Sequence, residues 1–159
     1  MGHAQLNVRL ERADQADVVA LIDALDAYQR PLYPPESHHG IDIAALLRPN
    51  VLFCVARDAA GTAIGTGAVV LHARYGELKR MYVPPESRGL GVGRAVLAHL
   101  EQQCLLRECR LLRLETGISQ PEAIRLYERA GFCRRPPFGG YRDDPLSLFM
   151  EKSLAMVAA

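Results

Sequence analysis

The segment Arg88-Gly89-Leu90-Gly91-Val92-Gly93-Arg94 constrains this chain more than any other. It follows a run, Tyr75 to Val83, that reads as a strand ended by the pair Pro84-Pro85. It opens an apolar-periodic stretch that predicts a helix from Gly89 to Glu108, burying Val92, Val96, Leu97, Leu100 and Leu105. A helix entered through glycines leaves its first N–H groups unpaired and uncovered by side chains, and the helix dipole then favours an anion there. The bland alternative is a glycine turn that only caps a helix. A dinucleotide fingerprint would need its third glycine at Arg94, and the Pro-Pro-Glu-Ser stretch is too long for that tight turn. Glu115, standing where a ribose-binding acid would, is therefore an imitation. No Gly-Lys-Ser/Thr follows, which excludes a P-loop.

The remaining elements fall into a simple order. Residues 5–12 alternate apolar and polar as a strand, and Asp14 reads as the cap of a helix carrying Val18, Leu21, Ile22 and Leu25. That helix ends near Arg30, before Pro31, Pro34 and Pro35. A loop from Tyr28 to Gly40 and a short helix from Ile41 to Arg48 come next. Val51–Arg57 and Ala63–His72 form a hairpin with Gly61 in its turn. After the long helix, Leu111–Thr116 is a strand, and Ser119 with Glu122 predicts a capping box for a helix ending at Gly131. The last strand spans Leu146–Lys152, and the tail Ser153–Ala159 is expected to fray. Three successive antiparallel strands followed by a strand–helix–strand unit give an α/β fold with a mixed sheet.

Composition narrows the function classes. The 159 residues fit one domain over 1–159, and 19 Lys+Arg against 18 Asp+Glu leave a net charge of +1. Bulk phosphate neutralisation needs a basic excess, so a nucleic-acid partner is not expected. All of the basic residues but Lys79 and Lys152 are arginines, read mainly as composition bias. No apolar run approaches the ~20 residues of a membrane span, and Met1-Gly2-His3-Ala4 does not begin a signal peptide. Cys54, Cys104, Cys109 and Cys133 lack metal-ligand spacing and read as buried or half-buried thiols, so no metal and a cytoplasmic location are expected.

Arg88, Gly91 and Gly93 spell R-x-x-G-x-G, and Ala123-Ile124-Arg125-Leu126-Tyr127-Glu128-Arg129-Ala130-Gly131-Phe132 spells A-x-x-L-Y-x-x-x-G-F. With both motifs on the expected elements, the chain resembles the GNAT superfamily of N-acetyltransferases over nearly its whole length. The resemblance implies a mainly antiparallel sheet whose parallel central pair splays for coenzyme A, with helices on its flanks. It implies transfer of an acetyl group from acetyl-CoA to an amine that attacks the thioester directly in a ternary complex. Gly89, Gly91 and Gly93 would cradle the pyrophosphate, with charge from Arg88 and Arg94, while Met81 and Val83 would offer backbone groups to the thioester carbonyl and pantetheine. Gln120 stands where the family often has an Asn that bonds the pantetheine arm. Dimers are common among relatives, and an exposed last strand could pair with a second copy.

Within that resemblance the chemistry falls on two residues. Glu77, eleven positions before Arg88, matches the general-base glutamate of histone-type members; its alternative is a strand carboxylate paired with Arg74 or Lys79. Tyr127 would be the general acid for the leaving thiolate, since a phenol is protonated at neutral pH; its alternative is packing beside Leu126. A small-molecule primary amine is the expected acceptor. A protein N-terminus or lysine would need a groove left open by the Tyr28–Gly40 loop, and a non-catalytic coenzyme-A-binding regulator would need neither Glu77 nor Tyr127. Tyr28, Tyr33 and Tyr141 are acceptor-pocket candidates. His38, His39 and His72 read as solvated, and Asp143 and Asp144 either line the acceptor site or shape a turn.

Overall fold

The computed structural model describes residues 5–155. Seven strands form one sheet: β1 (Asn7–Leu10), β2 (Val51–Arg57), β3 (Ala63–Leu71), β4 (Gly76–Tyr82), β5 (Leu111–Gly117), β6 (Cys133–Arg134) and β7 (Ser147–Ser153). Their spatial order is β1-β2-β3-β4-β5-β7-β6. Every pair is antiparallel except β4 with β5. That parallel pair needs a crossover, which α3 (Val92–Leu106) supplies.

Strand alternation divides the core in two. Leu52, Cys54, Val69, Leu78, Leu112, Leu114 and Met150 meet α3 through Val96, Leu97 and Leu100. The opposite face carries Phe53, Val55 and Ala68 against Val18 and Ile22 of α1 (Ala16–Gln29) and Leu46 of α2 (Ile43–Leu46). Leu100 is fully buried, and such a side chain contributes about 1.5–3 kcal/mol. Gly61 and Gly131 adopt positive φ, as their turns require.

Several local expectations fail for visible reasons. Asp14 does not cap α1: its carboxylate is taken by Arg12 at 2.9 Å, and Gln15 stands at the N-cap without a side-chain bond. Nor does a capping box open α4 (Pro121–Arg129). Gln120 is the N-cap, the Ser119 N–H donates to the Tyr33 hydroxyl at 3.2 Å, and Glu122 turns to Arg88 at 3.4 Å. Cys104 takes the fully buried place on α3, while Leu105 is only partly covered. Ser153 belongs to β7 and Leu154 is buried, so the expected fraying does not begin there; residues 156–159, like Met1 to Ala4, lie outside the described residues. The last strand is not an open edge, because β6 pairs with it at Cys133–Glu151 and Arg134–Met150.

Candidate active site

The parallel pair parts midway. Its register runs Gly76–Leu112, Glu77–Arg113 and Leu78–Leu114 and then stops, although β4 continues to Tyr82 and β5 to Gly117. A bulge drives the parting: β4 holds one residue too many opposite Thr66–Ala68, and Arg80 takes up the slack at φ 58°. Left-handed backbone costs a side-chain-bearing residue about 1–2 kcal/mol. Three elements hold it there. Thr66 Oγ1 donates to the Arg80 carbonyl at 2.9 Å, the guanidinium donates to the Ile41 carbonyl at 2.7 Å, and it meets Asp26 at 2.5 Å.

A cavity of about 90 Å³ occupies this parting. Tyr127 reaches it from α4, Glu115 from β5, and Met81 and Lys79 from β4. Tyr127 is 6% exposed, packs edge-on against Phe132, and its hydroxyl makes no hydrogen bond to a described residue. Burial first, then the charge of Glu115, push its pKa up, so the phenol keeps its proton. Glu115 accepts from Ser147 Oγ at 2.6 Å through one oxygen, and burial raises its pKa above the usual carboxylate range. Sequence reasoning set Glu115 aside. The signal was present, because alternation on β5 puts it on the face of Arg113, which pairs with Glu77.

Glu77 is 7% exposed. Its Oε2 accepts a short hydrogen bond from the Tyr141 hydroxyl and lies 3.2 Å from Lys79 Nζ. Its Oε1 is 3.6 Å from His72 Nε2. Lys79, the anticipated partner, also donates to the His39 carbonyl and to the Tyr141 hydroxyl, each at 2.6 Å. Glu77 does not line the cavity. Burial, followed by the hydrogen bond and charge of Glu77, raises the Tyr141 pKa and keeps that phenol a donor.

The segment from Tyr28, at the end of α1, to Gly40 lies against the cavity and is bonded down at successive points. Tyr33 donates to Gln120 Oε1 at 3.2 Å, Ser37 Oγ donates to Asp144 at 2.6 Å, and His38 Nε2 meets the Tyr33 carbonyl at 2.8 Å. Tyr33 and both histidines line the cavity, while Tyr28 lies outside it beneath Arg88 at 5.7 Å. Asp144 shapes the turn into β7 by accepting from the Leu146 N–H, and Asp143 is exposed. Gln120 lines the cavity with its amide oxygen already occupied by Tyr33.

The glycine turn is built as a bare cradle. Gly89 and Gly91 both have φ 80°, and a Cβ built on either meets nothing within 4 Å. Gly91 caps α3, and no side-chain cap bonds the helix's first N–H groups. Gly93 serves packing as well, since a Cβ there would come within 3.2 Å of Leu126. Arg88 is held by the Val83 carbonyl at 3.0 Å and by Glu122, whereas Arg94 is exposed and unpaired among the described residues. No group of three or more His, Cys, Asp or Glu among the described residues is placed to hold a metal ion.

A mixed seven-stranded sheet with one parallel pair that parts over a cavity, and a glycine cradle at the crossover helix, defines an acyl-CoA N-acyltransferase fold. The model of the acetyltransferase (GNAT) family matches residues 18–132, and the chain belongs to that family. An IAA acetyltransferase of Azospirillum brasilense is 45% identical over 152 residues, 93% of this chain and 99% of that protein. The uncharacterized N-acetyltransferase YsnE of Bacillus subtilis is 33% identical over 152 residues, 94% of this chain and 100% of that protein. The crystal structure of the putative acyl-CoA N-acyltransferase from Klebsiella pneumoniae superposes with a TM-score of 0.81 at 40% identity, covering 94% of this chain and 98% of that one. The PaiA N-acetyltransferase of Thermoplasma acidophilum, solved with coenzyme A, shares the fold at a TM-score of 0.71 and 20% identity, over 94% and 99% of the two chains.

Proposed function

We propose that this chain is an acetyl-CoA-dependent N-acetyltransferase acting on a primary amine of a small molecule, by direct attack in a ternary complex. The observation that carries the reading is the cavity in the parted β4–β5 pair, with the Tyr127 phenol on one side and the Glu115 carboxylate on the other. Residues fit the co-substrate along its length. The bare turn at Gly89, Gly91 and Gly93 suits the pyrophosphate, with Arg94 as the available cation and Arg88 bracing the turn. Met81 lines the gap where a thioester would lie, and Val83, whose carbonyl accepts from Arg88, is the other position expected to offer a backbone group to the pantetheine arm. Gln120 offers its amide nitrogen there, its oxygen being held by Tyr33.

Acetyl-CoA brings the activated acetyl group; the protein supplies position and protons. Tyr127 gives its proton to the departing coenzyme A sulfur, a role its raised pKa suits because the phenol stays protonated. Glu115, on the same face of the sheet as Glu77, the base expected from the sequence, lines the cavity and provides the negative charge an ammonium seeks.

The bonded-down loop favours a small acceptor over a peptide, which would need that ground uncovered. A regulator without chemistry would have no use for a buried phenol aimed at the cavity. The name of the A. brasilense relative adds IAA to the acceptors to be screened. The free cysteines suit a reducing cytoplasm. Release of coenzyme A thiol across a panel of amines tests the reading, which expects saturable release with at least one small amine and none with peptides alone. Absence of acetyl-CoA binding at millimolar concentration overturns it.

A further inference from the structure

We propose that Glu115, not Glu77, receives and deprotonates the acceptor amine, and that the acceptor is a cationic alkylamine with no carboxylate beside its nitrogen. The inference rests on the N-acetyltransferase reading and specifies its acceptor side.

The argument is an account of which charges around the cavity are already paired. Glu77 has one oxygen held by Tyr141 and Lys79, its other oxygen lies 3.6 Å from His72, and it stands outside the cavity. Glu115 lines the cavity opposite Tyr127, and among the described residues only one of its oxygens is held, by Ser147. The other is the acceptor-side carboxylate oxygen left for a ligand. A base and an acid lining one small cavity can act on the two ends of a single transfer: Glu115 takes a proton from the attacking nitrogen, and Tyr127 gives one to the leaving sulfur. Glu115 first takes one proton from the bound ammonium and releases it to solvent. The free amine then attacks, and as the N–C bond forms and the C–S bond breaks the nitrogen's second proton passes to Glu115 while Tyr127 gives one to the sulfur.

The cations are accounted for in the same way. Lys79 is occupied by Glu77, Tyr141 and the His39 carbonyl. Arg80 is occupied by Asp26 and the Ile41 carbonyl. His38 is bonded to the Tyr33 carbonyl, and His39 packs edge-on against Tyr141. An ammonium therefore finds a partner, but a carboxylate on the same carbon would enter a confined site beside Glu115 with no uncommitted cation. The groups that face Glu115 are Tyr127 from α4, Lys79 from β4, His39 and Tyr33 from the long loop, Ser147 of β7, and Asp144 and Tyr141 from the segment before β7. Burial outweighs these and holds the carboxyl at a raised pKa, nearer that of a working base. Glu77 becomes a positioning residue that anchors Lys79 and Tyr141, and through Lys79 the His39 end of the loop.

The test compares wild type, Glu115→Gln and Glu77→Gln with butylamine and with norvaline, which differs from it by one carboxylate on the amine-bearing carbon. Coenzyme A thiol release is followed between about pH 6 and pH 9. Glu115→Gln should bind acetyl-CoA normally, lose about 100-fold or more in kcat/KM, and lose the rise of rate with pH that marks a base giving up its proton. Glu77→Gln should keep that rise with its midpoint in place. Butylamine should exceed norvaline by about 100-fold or more. Butylamine added to the coenzyme A complex should also shift the one ¹³C-carboxyl glutamate resonance missing from Glu115→Gln, a readout independent of turnover. The proposal is overturned if the rise vanishes in Glu77→Gln and survives in Glu115→Gln, if norvaline matches butylamine, or if the resonance does not move. Failure of wild type to bind acetyl-CoA condemns the acetyltransferase reading itself.

Discussion

Gly117 and Tyr33 make a sharp test of how the loop is fastened over the site. A Cβ built on Gly117 would lie 1.8 Å from the Tyr33 hydroxyl oxygen and 2.0 Å from its ring carbon. The phenol occupies the space an alanine methyl would need, and an aromatic ring cannot bend out of the way. Gly117→Ala must push Tyr33 aside, breaking its bonds to Gln120 and to the Ser119 N–H. Overpacking costs about 1–3 kcal/mol and each hydrogen bond about 1 kcal/mol, so the loss is about 3–5 kcal/mol. At about 2–4 °C per kcal/mol for a chain of this size, Tm should fall by about 6–20 °C. In a Tyr33→Ala background the clash is gone, and adding Gly117→Ala should cost less than about 1 kcal/mol. Thermal unfolding of the four proteins of this cycle measures both numbers. If Gly117→Ala leaves Tm within about 2 °C of wild type, or if the two changes add fully, Tyr33 does not lie over Gly117 as described.

Two further outcomes follow from the burial of particular groups. Tyr127→Phe should lower kcat by about 100-fold while leaving acetyl-CoA affinity within about twofold, because it removes a proton donor and little contact area; equal turnover with wild type in rapid-mixing thiol assays would remove Tyr127 from the chemistry. Burial pushes the Cys54 and Cys104 thiols up to about 12, whereas Cys133 is exposed. An aromatic disulfide at neutral pH should therefore label Cys133 quickly and Cys54 and Cys104 only on unfolding, with the fast phase lost in Cys133→Ser.

The order of the elements was legible because periodicity and proline placement are local. The glycine cradle was legible too, since positive φ at Gly89 and Gly91 belongs to the residue type. Caps were less so. Asp14 and Ser119 are sound capping residues, yet Arg12 takes the first and Tyr33, 86 positions distant, takes the N–H beside the second. The base candidate shows the same limit. Alignment of motif to strand pointed to Glu77, but whether a carboxylate is available depends on what bonds it. Tyr141 lies 64 positions further along and reaches Glu77 only in the folded sheet. Glu115 was passed over because it was weighed against a dinucleotide fold that the glycine spacing had already excluded, not against the alternation of its own strand. The bulge at Arg80, which opens the cavity, has no mark in the sequence, since an arginine at positive φ is held there by Thr66, Ile41 and Asp26 together.

The central claim is that this cavity joins an acetyl group to an amine nitrogen. Its most direct measurement is mass-spectrometric product analysis after incubation with acetyl-CoA and butylamine. The account predicts N-butylacetamide and free coenzyme A in equal amounts. Coenzyme A released with acetate alone, or no turnover with any small amine despite bound acetyl-CoA, would contradict it.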